Sequence, residues 1–102
     1  MRPYILTPGA AADVQEIARY TQKKWGAAKR EAYIQQIETA ASELATGRGV
    51  FRERGDLYPG VRVRRVGHHY IFCLPQVNAP ALILAILHER MDLIARLNER
   101  LD

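Results

Sequence analysis

The segment VRVRRVGHHYIFCLPQVNAPALILAIL, residues 61–87, decides the fold class. Val61-Arg62-Val63-Arg64 alternates apolar and charged side chains at period 2, the pattern of a half-buried strand. Gly67-His68 then stands between two strand-like runs, and a glycine in the first place of a two-residue connection suits a type II′ turn. The flanking strands therefore pair antiparallel. The second of them, from His69, is rich in aromatic and branched residues and is expected to stop at Pro75, leaving PQVNAP (residues 75–80) as the next turn. Residues 81–87 are apolar throughout, with Leu82, Leu84 and Ile86 on one face and Ile83 and Leu87 on the other. A strand of that kind is central and covered on both sides.

Working outward, residues 48–60 combine three glycines and a proline with mixed charge and no period, and read as a loop. Upstream, Pro3 to Thr7 forms a short strand, and Thr7-Pro8 supplies a helix cap followed by proline at the first helical position. Val14, Ile17, Ala18, Thr21 and Trp25 recur at spacings of three and four, which predicts a helix over residues 8–25 stopped at Gly26. Tyr33, Ile34, Ile37, Ala41 and Leu44 define a second helix to about Thr46, and so short a break makes the two an antiparallel hairpin. Downstream, Asp92 caps a last helix carrying Leu93, Ile94, Leu97 and Leu101. The expected architecture is α+β, in the order βααβββα: a helical hairpin packed on a small, mainly antiparallel sheet, with a short C-terminal helix. Its core should join Val14, Ile17, Trp25, Tyr33, Ile37 and Leu44 to a sheet surface centred on Leu82, Leu84 and Ile86, with Trp25 closing the helix end onto the sheet.

A chain of 102 residues suits a single domain over residues 1–102, and with 48% hydrophobic residues it can fill a core without staples. One cysteine, Cys73, and three histidines provide neither an internal disulfide nor a zinc-type ligand set, so no metal or other cofactor is expected. The N-terminus lacks the apolar stretch of an export signal, and the longest apolar run falls far short of the ~20 residues of a spanning helix. A cytoplasmic location, away from the membrane, is the expectation.

The net charge of +4 is unevenly distributed: residues 1–47 carry 6 basic and 5 acidic side chains, residues 48–69 carry 6 and 2, and residues 70–102 carry 3 and 4. The middle excess consists of Arg48, Arg52, Arg54, Arg62, Arg64 and Arg65, and guanidinium forks clamp carboxylates or phosphates. An anionic partner follows as an expectation. Phosphate loops, nucleophile elbows and HExxH are missing from the sequence, and its single serine, Ser42, lies within the second helix. Two clusters can carry chemistry: Arg62, Arg64, Arg65, His68 and His69 around the hairpin, and His88-Glu89-Arg90 after the central strand. Imidazoles for proton transfer beside guanidiniums for phosphate are the inventory of a metal-free ribonuclease. Against this, adjacent His68 and His69 should face opposite sides of a strand, so that at most one joins a given cluster.

YILTPGAAADVQEIARYTQKKWG (residues 4–26), AYIQQIETAASELA (32–45), PGVRVRRVGHHYIF (59–72) and ILAILHERMDL (83–93) occur in order over nearly the whole chain. Together they resemble the ParE branch of the RelE/ParE toxin family of bacterial toxin–antitoxin modules. The resemblance implies a toxin that arrests growth and serves plasmid stabilisation. It also implies a hetero-oligomeric complex with a cognate antitoxin, acidic and partly disordered, that folds on binding. ParE-like members poison DNA gyrase by trapping its cleaved DNA intermediate, whereas RelE-like members cut messenger RNA on the ribosome. Tyr70 stands where the RelE-like strand arginine would be, and no tyrosine follows it, although Arg65 and Arg90 are retained. A noncatalytic gyrase inhibitor is therefore expected, with Arg62, Arg65, His88, Arg90 and Met91 as candidates for the target surface. Val14, Ile17, Trp25, Tyr33 and Arg62 are candidates for the antitoxin surface. The alternative is a ribosome-dependent endoribonuclease using His68, His69, His88, Arg65 and Arg90. A noncatalytic module binding nucleic acid or protein is the second alternative.

Overall fold

Strand β1 (Tyr4–Leu6) leads into α1 (Pro8–Trp25), and the chain reverses at Gly26 into α2 (Ala27–Thr46). Then follow β2 (Arg52–Glu53), β3 (Arg62–Val66), β4 (His69–Gln76), β5 (Ala79–His88) and α3 (Leu93–Leu101). The structure is a computed structural model and describes residues 2–101. The strands form one sheet in the order β1-β5-β4-β3-β2, parallel only between β1 and β5. The architecture is thus α+β, with the helical hairpin on one face of the sheet and α3 on the other.

Local chemistry sets the helix ends. The Thr7 hydroxyl accepts from the Ala10 amide at 3.2 Å and donates to the Ile83 carbonyl at 3.0 Å, so the cap of α1 is also its attachment to the central strand. Gly26 N–H donates to Gln22 O at 2.9 Å and closes α1. Asp92 Oδ1 accepts from Ala95 N–H at 3.2 Å and caps α3.

The loop reading of residues 48–60 is amended by β2, whose Arg52 and Glu53 pair with Val63 and Arg62 of β3. A two-residue ladder has no period for the sequence to display. Nor does Pro75 end β4, which continues to Gln76 before a turn at Val77-Asn78, with Asn78 at φ 57°. Pro75 falls at a register irregularity between Leu74 and Gln76, where its missing N–H breaks no regular ladder.

A second irregularity changes the core. Phe72 pairs with Ala85 but Cys73 pairs with Ile83, which leaves Leu84 as a bulge in β5. The bulge shifts the facing of the strand in mid-course. Ala81, Ile83 and Ile86 meet Ile17, Ile37, Ala41 and Leu44 of the helical hairpin, with Val14 and Tyr33 packed at the edge. Leu82, Leu84, Ala85 and Leu87 lie instead on the side of Leu97 in α3. Of the expected sheet centre only Ile86 faces the hairpin. Trp25 also departs from expectation: 63% exposed, it does not close on the sheet.

The bulge frees backbone groups that side chains then satisfy. Asp13 Oδ2 accepts from Ile86 N–H at 2.9 Å, and Arg100 Nη1 donates to Leu84 O at 3.1 Å. Arg100 and Asp13 complete the arrangement with a two-pronged ion pair at 2.9 and 2.8 Å, which ties α3 to α1 through the bulge. Gly9 makes room for it, since a Cβ there would stand 2.7 Å from Arg100 Nη1.

Candidate functional site

The β3–β4 turn and the end of β5 meet at one corner of the sheet, where Val66 pairs with His69 and His69 pairs with His88. Gly67 opens the turn at φ 56°, and His68 lacks the positive φ that a type I′ turn would require. Gly67 is needed for a second reason, because a Cβ would lie 2.8 Å from the Tyr33 hydroxyl. That hydroxyl donates to Val66 O at 2.9 Å and, its one proton committed, accepts from His69 Nδ1–H at 2.6 Å. Burial raises the pKa of the phenol further above its ordinary value. Burial, reinforced by His88 and His68, pushes the His69 imidazole down to about 4, so it is neutral at pH 7.

His88 links the three histidines. Its ring packs edge-on to His69 with centroids 5.1 Å apart and stacks on His68 at 6.1 Å. The expectation that at most one of His68 and His69 would join a cluster is thereby corrected: His68 is a turn residue, free of the strict strand alternation, and reaches the same corner. His88 Nδ1 accepts from Arg90 N–H at 3.1 Å, fixing the turn out of β5.

Outside this inner set lies a clamp on Glu89, which neither cluster of the sequence reading paired with a partner. Arg65 Nη2 donates to Glu89 Oε1 at 2.6 Å, and His68 Nδ1 donates to Oε2 at 2.8 Å. These contacts, His68 first, hold the Glu89 carboxyl below the usual carboxylate range. Arg65 Nε also donates to Gly67 O at 2.8 Å, and its guanidinium lies 5.8 Å from the Tyr70 ring. Arg90 is exposed beside the corner, and Met91 is 42% exposed. The structure therefore gathers Arg65, His68, His69, His88, Arg90 and Met91.

Arg62 lies apart from them. It donates to Leu44 O at 3.0 Å and packs over Phe51 at 5.0 Å, serving the carbonyl end of α2. Arg64 pairs with Glu43 at 2.8 Å and Arg54 with Asp56 at 2.8 Å. Of the antitoxin candidates, Ile17 is buried, Val14 and Tyr33 are partly buried against the same core, and Trp25 alone is largely exposed. On the α3 side a groove of about 710 Å³ has Phe51, Leu57, Tyr70, Phe72 and Ile94 among its apolar walls, with Arg52, Arg54 and Arg65 contributing guanidiniums. Its apolar members come from β-strands, the loop and α3, too far apart in sequence for any window to assemble them.

Comparison with known proteins places this geometry in a family. A model described as the ParE toxin of the type II toxin–antitoxin system, parDE, matches residues 4–93. The chain is 50% identical over 101 residues to Toxin ParE of Escherichia coli, covering 99% of this chain and 98% of that one. It is 28% identical to Toxin ParE1 of Caulobacter vibrioides over 97 residues, covering 95% and 99% of the two chains. A solved structure described as a chromosomal ParDE system from P. aeruginosa shares the fold, with a TM-score of 0.63 at 23% identity over 83% of this chain and 92% of that one. Since the family model spans both the helical hairpin and the histidine corner, the chain belongs to the ParE toxin family of type II toxin–antitoxin systems.

Proposed function

We propose that this ParE family member acts, as one domain, by trapping the cleaved DNA intermediate of gyrase rather than by cutting RNA. The observation that carries the reading is the engagement of three of the five groups a nuclease would need. His69 Nδ1 is held by Tyr33, while His68 Nδ1 and Arg65 are held by Glu89. Tyr70 lies under Arg65 where a second phosphate-binding arginine would serve a ribonuclease. In-line attack by a ribose hydroxyl calls for a base, an acid and charge stabilisation together, and acid–base catalysis is typically worth about 10²–10⁴-fold. A protein clamp needs only a complementary surface, for which Arg65, His88, Arg90 and Met91 are the candidates at this corner and Arg62 a more distant one.

The partner is a cognate antitoxin in the bacterial cytoplasm, acidic and partly disordered until bound. The apolar groove with its guanidiniums has the chemistry to receive such a segment. No helix among the described residues is long and apolar enough to cross a membrane.

The test incubates the protein with gyrase, ATP and supercoiled plasmid, denatures the mixture, and looks for linear DNA with gyrase covalently attached. RNA ends on stalled ribosomes are mapped in parallel. Trapped DNA breaks with intact messenger RNA are expected. RNA cleavage at codon positions without trapped breaks would overturn the reading, and the convergence of His68, His69 and His88 with Arg65 and Arg90 would then become the catalytic set.

A further inference from the structure

The tip of the helical hairpin, residues 19–30 (RYTQKKWGAAKR), carries five cations and no carboxylate. Among the described residues, Arg19, Lys23, Lys24, Lys29 and Arg30 enter no ion pair. Arg30 donates instead to Gln22 Oε1 at 2.8 Å, which braces the start of α2 against the end of α1. Two aromatic rings stand on the same tip, Tyr20 at 60% and Trp25 at 63% exposure. The Lys24 ammonium lies 5.7 Å from the Tyr20 ring centroid and 5.9 Å from that of Trp25, and it donates to the Tyr20 hydroxyl at 3.3 Å.

Folding explains neither feature. An exposed indole forgoes the burial that makes tryptophan stabilising. Lys29 and Arg30 stand at the start of α2, where the helix dipole disfavours cations, and the first turn contains no acidic residue to offset them. Gly26 is about 10 Å along α2 from Tyr33, so the tip lies beyond the Tyr33–His69 contact.

We infer that this tip binds single-stranded nucleic acid, with its lysines and arginines on phosphates and Trp25 and Tyr20 stacked on bases. An acidic polypeptide would satisfy the cations but supply no regular flat partner for the rings. A duplex supplies phosphates but keeps its base faces in the stack. A single strand offers an anion and a π-face at every nucleotide, which matches both halves of the patch. The inference stands apart from the gyrase reading, and its test contains no gyrase.

Trp25 is the only tryptophan of the chain, so indole emission reports on the tip alone. The full chain is titrated with a thymidine oligomer and with a uridine oligomer, followed by Trp25 fluorescence at increasing salt. The expected result is saturable quenching whose affinity falls with salt at a log–log slope of about −2 to −3.5, corresponding to three to five phosphates. Preference between the oligomers tells DNA from RNA; equal response means that the sugar is not read. The double variant Lys23→Gln/Lys24→Gln, exposed and outside the core, should bind at least about tenfold more weakly with a slope shallower by about 1.4. Circular dichroism confirms that it is folded. Equal quenching by polyglutamate would overturn the inference in favour of an acidic protein partner. Absence of quenching at low salt, or quenching unaffected by the double variant, would overturn it outright.

Discussion

The arginine-rich segment 48–69 and the hairpin tip 19–30 are both strongly basic, yet they use their charge in opposite ways. In the first, four of the six arginines are engaged, Arg54, Arg64 and Arg65 with Asp56, Glu43 and Glu89 and Arg62 with the carbonyl end of α2, while Arg48 and Arg52 enter no ion pair among the described residues. In the second, none of the five cations has an ion-pair partner among the described residues. The near-balance of residues 1–47 taken as a whole hides this, because five of the six basic residues of that stretch lie in the tip while its five carboxylates lie outside it. Basic composition therefore locates charge but not availability. A guanidinium with a carboxylate or a helix end in reach is first a clamp within the fold and offers a partner only its exposed remainder, as Arg54 and Arg65 do at 42% and 53% side-chain exposure, whereas a cation without one is wholly available.

If pairing sets the role, the largest loss of stability should come from the best-enclosed pair, outside both segments. Arg100 and Asp13 have side-chain exposures of 25% and 14%, and together they satisfy the backbone groups freed by the Leu84 bulge. Arg100→Ala should cost about 2–4 kcal/mol, since it strands a largely buried carboxylate and unpins α3. Denaturant unfolding measures this, and a double-mutant cycle with Asp13→Ala should show coupling above about 1 kcal/mol. A cost below about 0.5 kcal/mol would mean that enclosure of the pair does not distinguish a structural arginine from a free one.

That latch also shows what the sequence could and could not disclose. The bounds of α1 and α2 were legible because Thr7-Pro8 and Gly26 act on their own neighbours. The β3–β4 hairpin was legible because Gly67 sits between an alternating run and one rich in aromatic and branched residues. The Leu84 bulge was not, since a run that is apolar on both faces loses its alternation as a register signal, and the expected sheet centre moved with it. The contact of His69 with Tyr33, across 36 positions, and the pairing of Glu89 with Arg65 depend on how strands and helices are juxtaposed. Trp25 misled for another reason: its position fits the apolar stripe of α1, but it falls at the last residue, beyond the reach of the sheet.

Acid should expose a middle-sized effect at the histidine corner, which is already crowded with guanidiniums. The native His69 pKa, about 4, lies below the ordinary value of about 6.5, so the unfolded chain takes up the proton first as pH falls. The contribution is fully present above about pH 6.5 and is lost progressively as pH falls towards 4. Allowing for the partial exposure of the ring, the loss should be about 1–2 kcal/mol. Comparison of wild type with His69→Gln reads it as a difference in the slope of stability against pH, independent of whatever the missing Tyr33 bond costs at neutral pH. Parallel slopes would show that the corner tolerates a further charge and is no more committed than the tip.

The smallest effect should have the opposite sign. Lys29 occupies the first turn of α2, close to Arg30 and the positive end of the helix dipole. Replacing it by glutamate reverses an unfavourable placement, and the gain should be about 0.5 kcal/mol, or about 2–4 °C in Tm. A capping-box bond would add nothing, because the Gly26 N–H that such a glutamate would seek already donates to Gln22 O at 2.9 Å. The same reversal at Arg64 removes its bond to Glu43 and sets two carboxylates against each other, so that variant should be less stable. A more stable Lys29→Glu that also loses oligonucleotide quenching of Trp25 would identify the tip as a place where charge is kept at the expense of stability. A destabilised one would instead make Lys29 another structural cation, and the contrast between the two basic regions would fail at that residue.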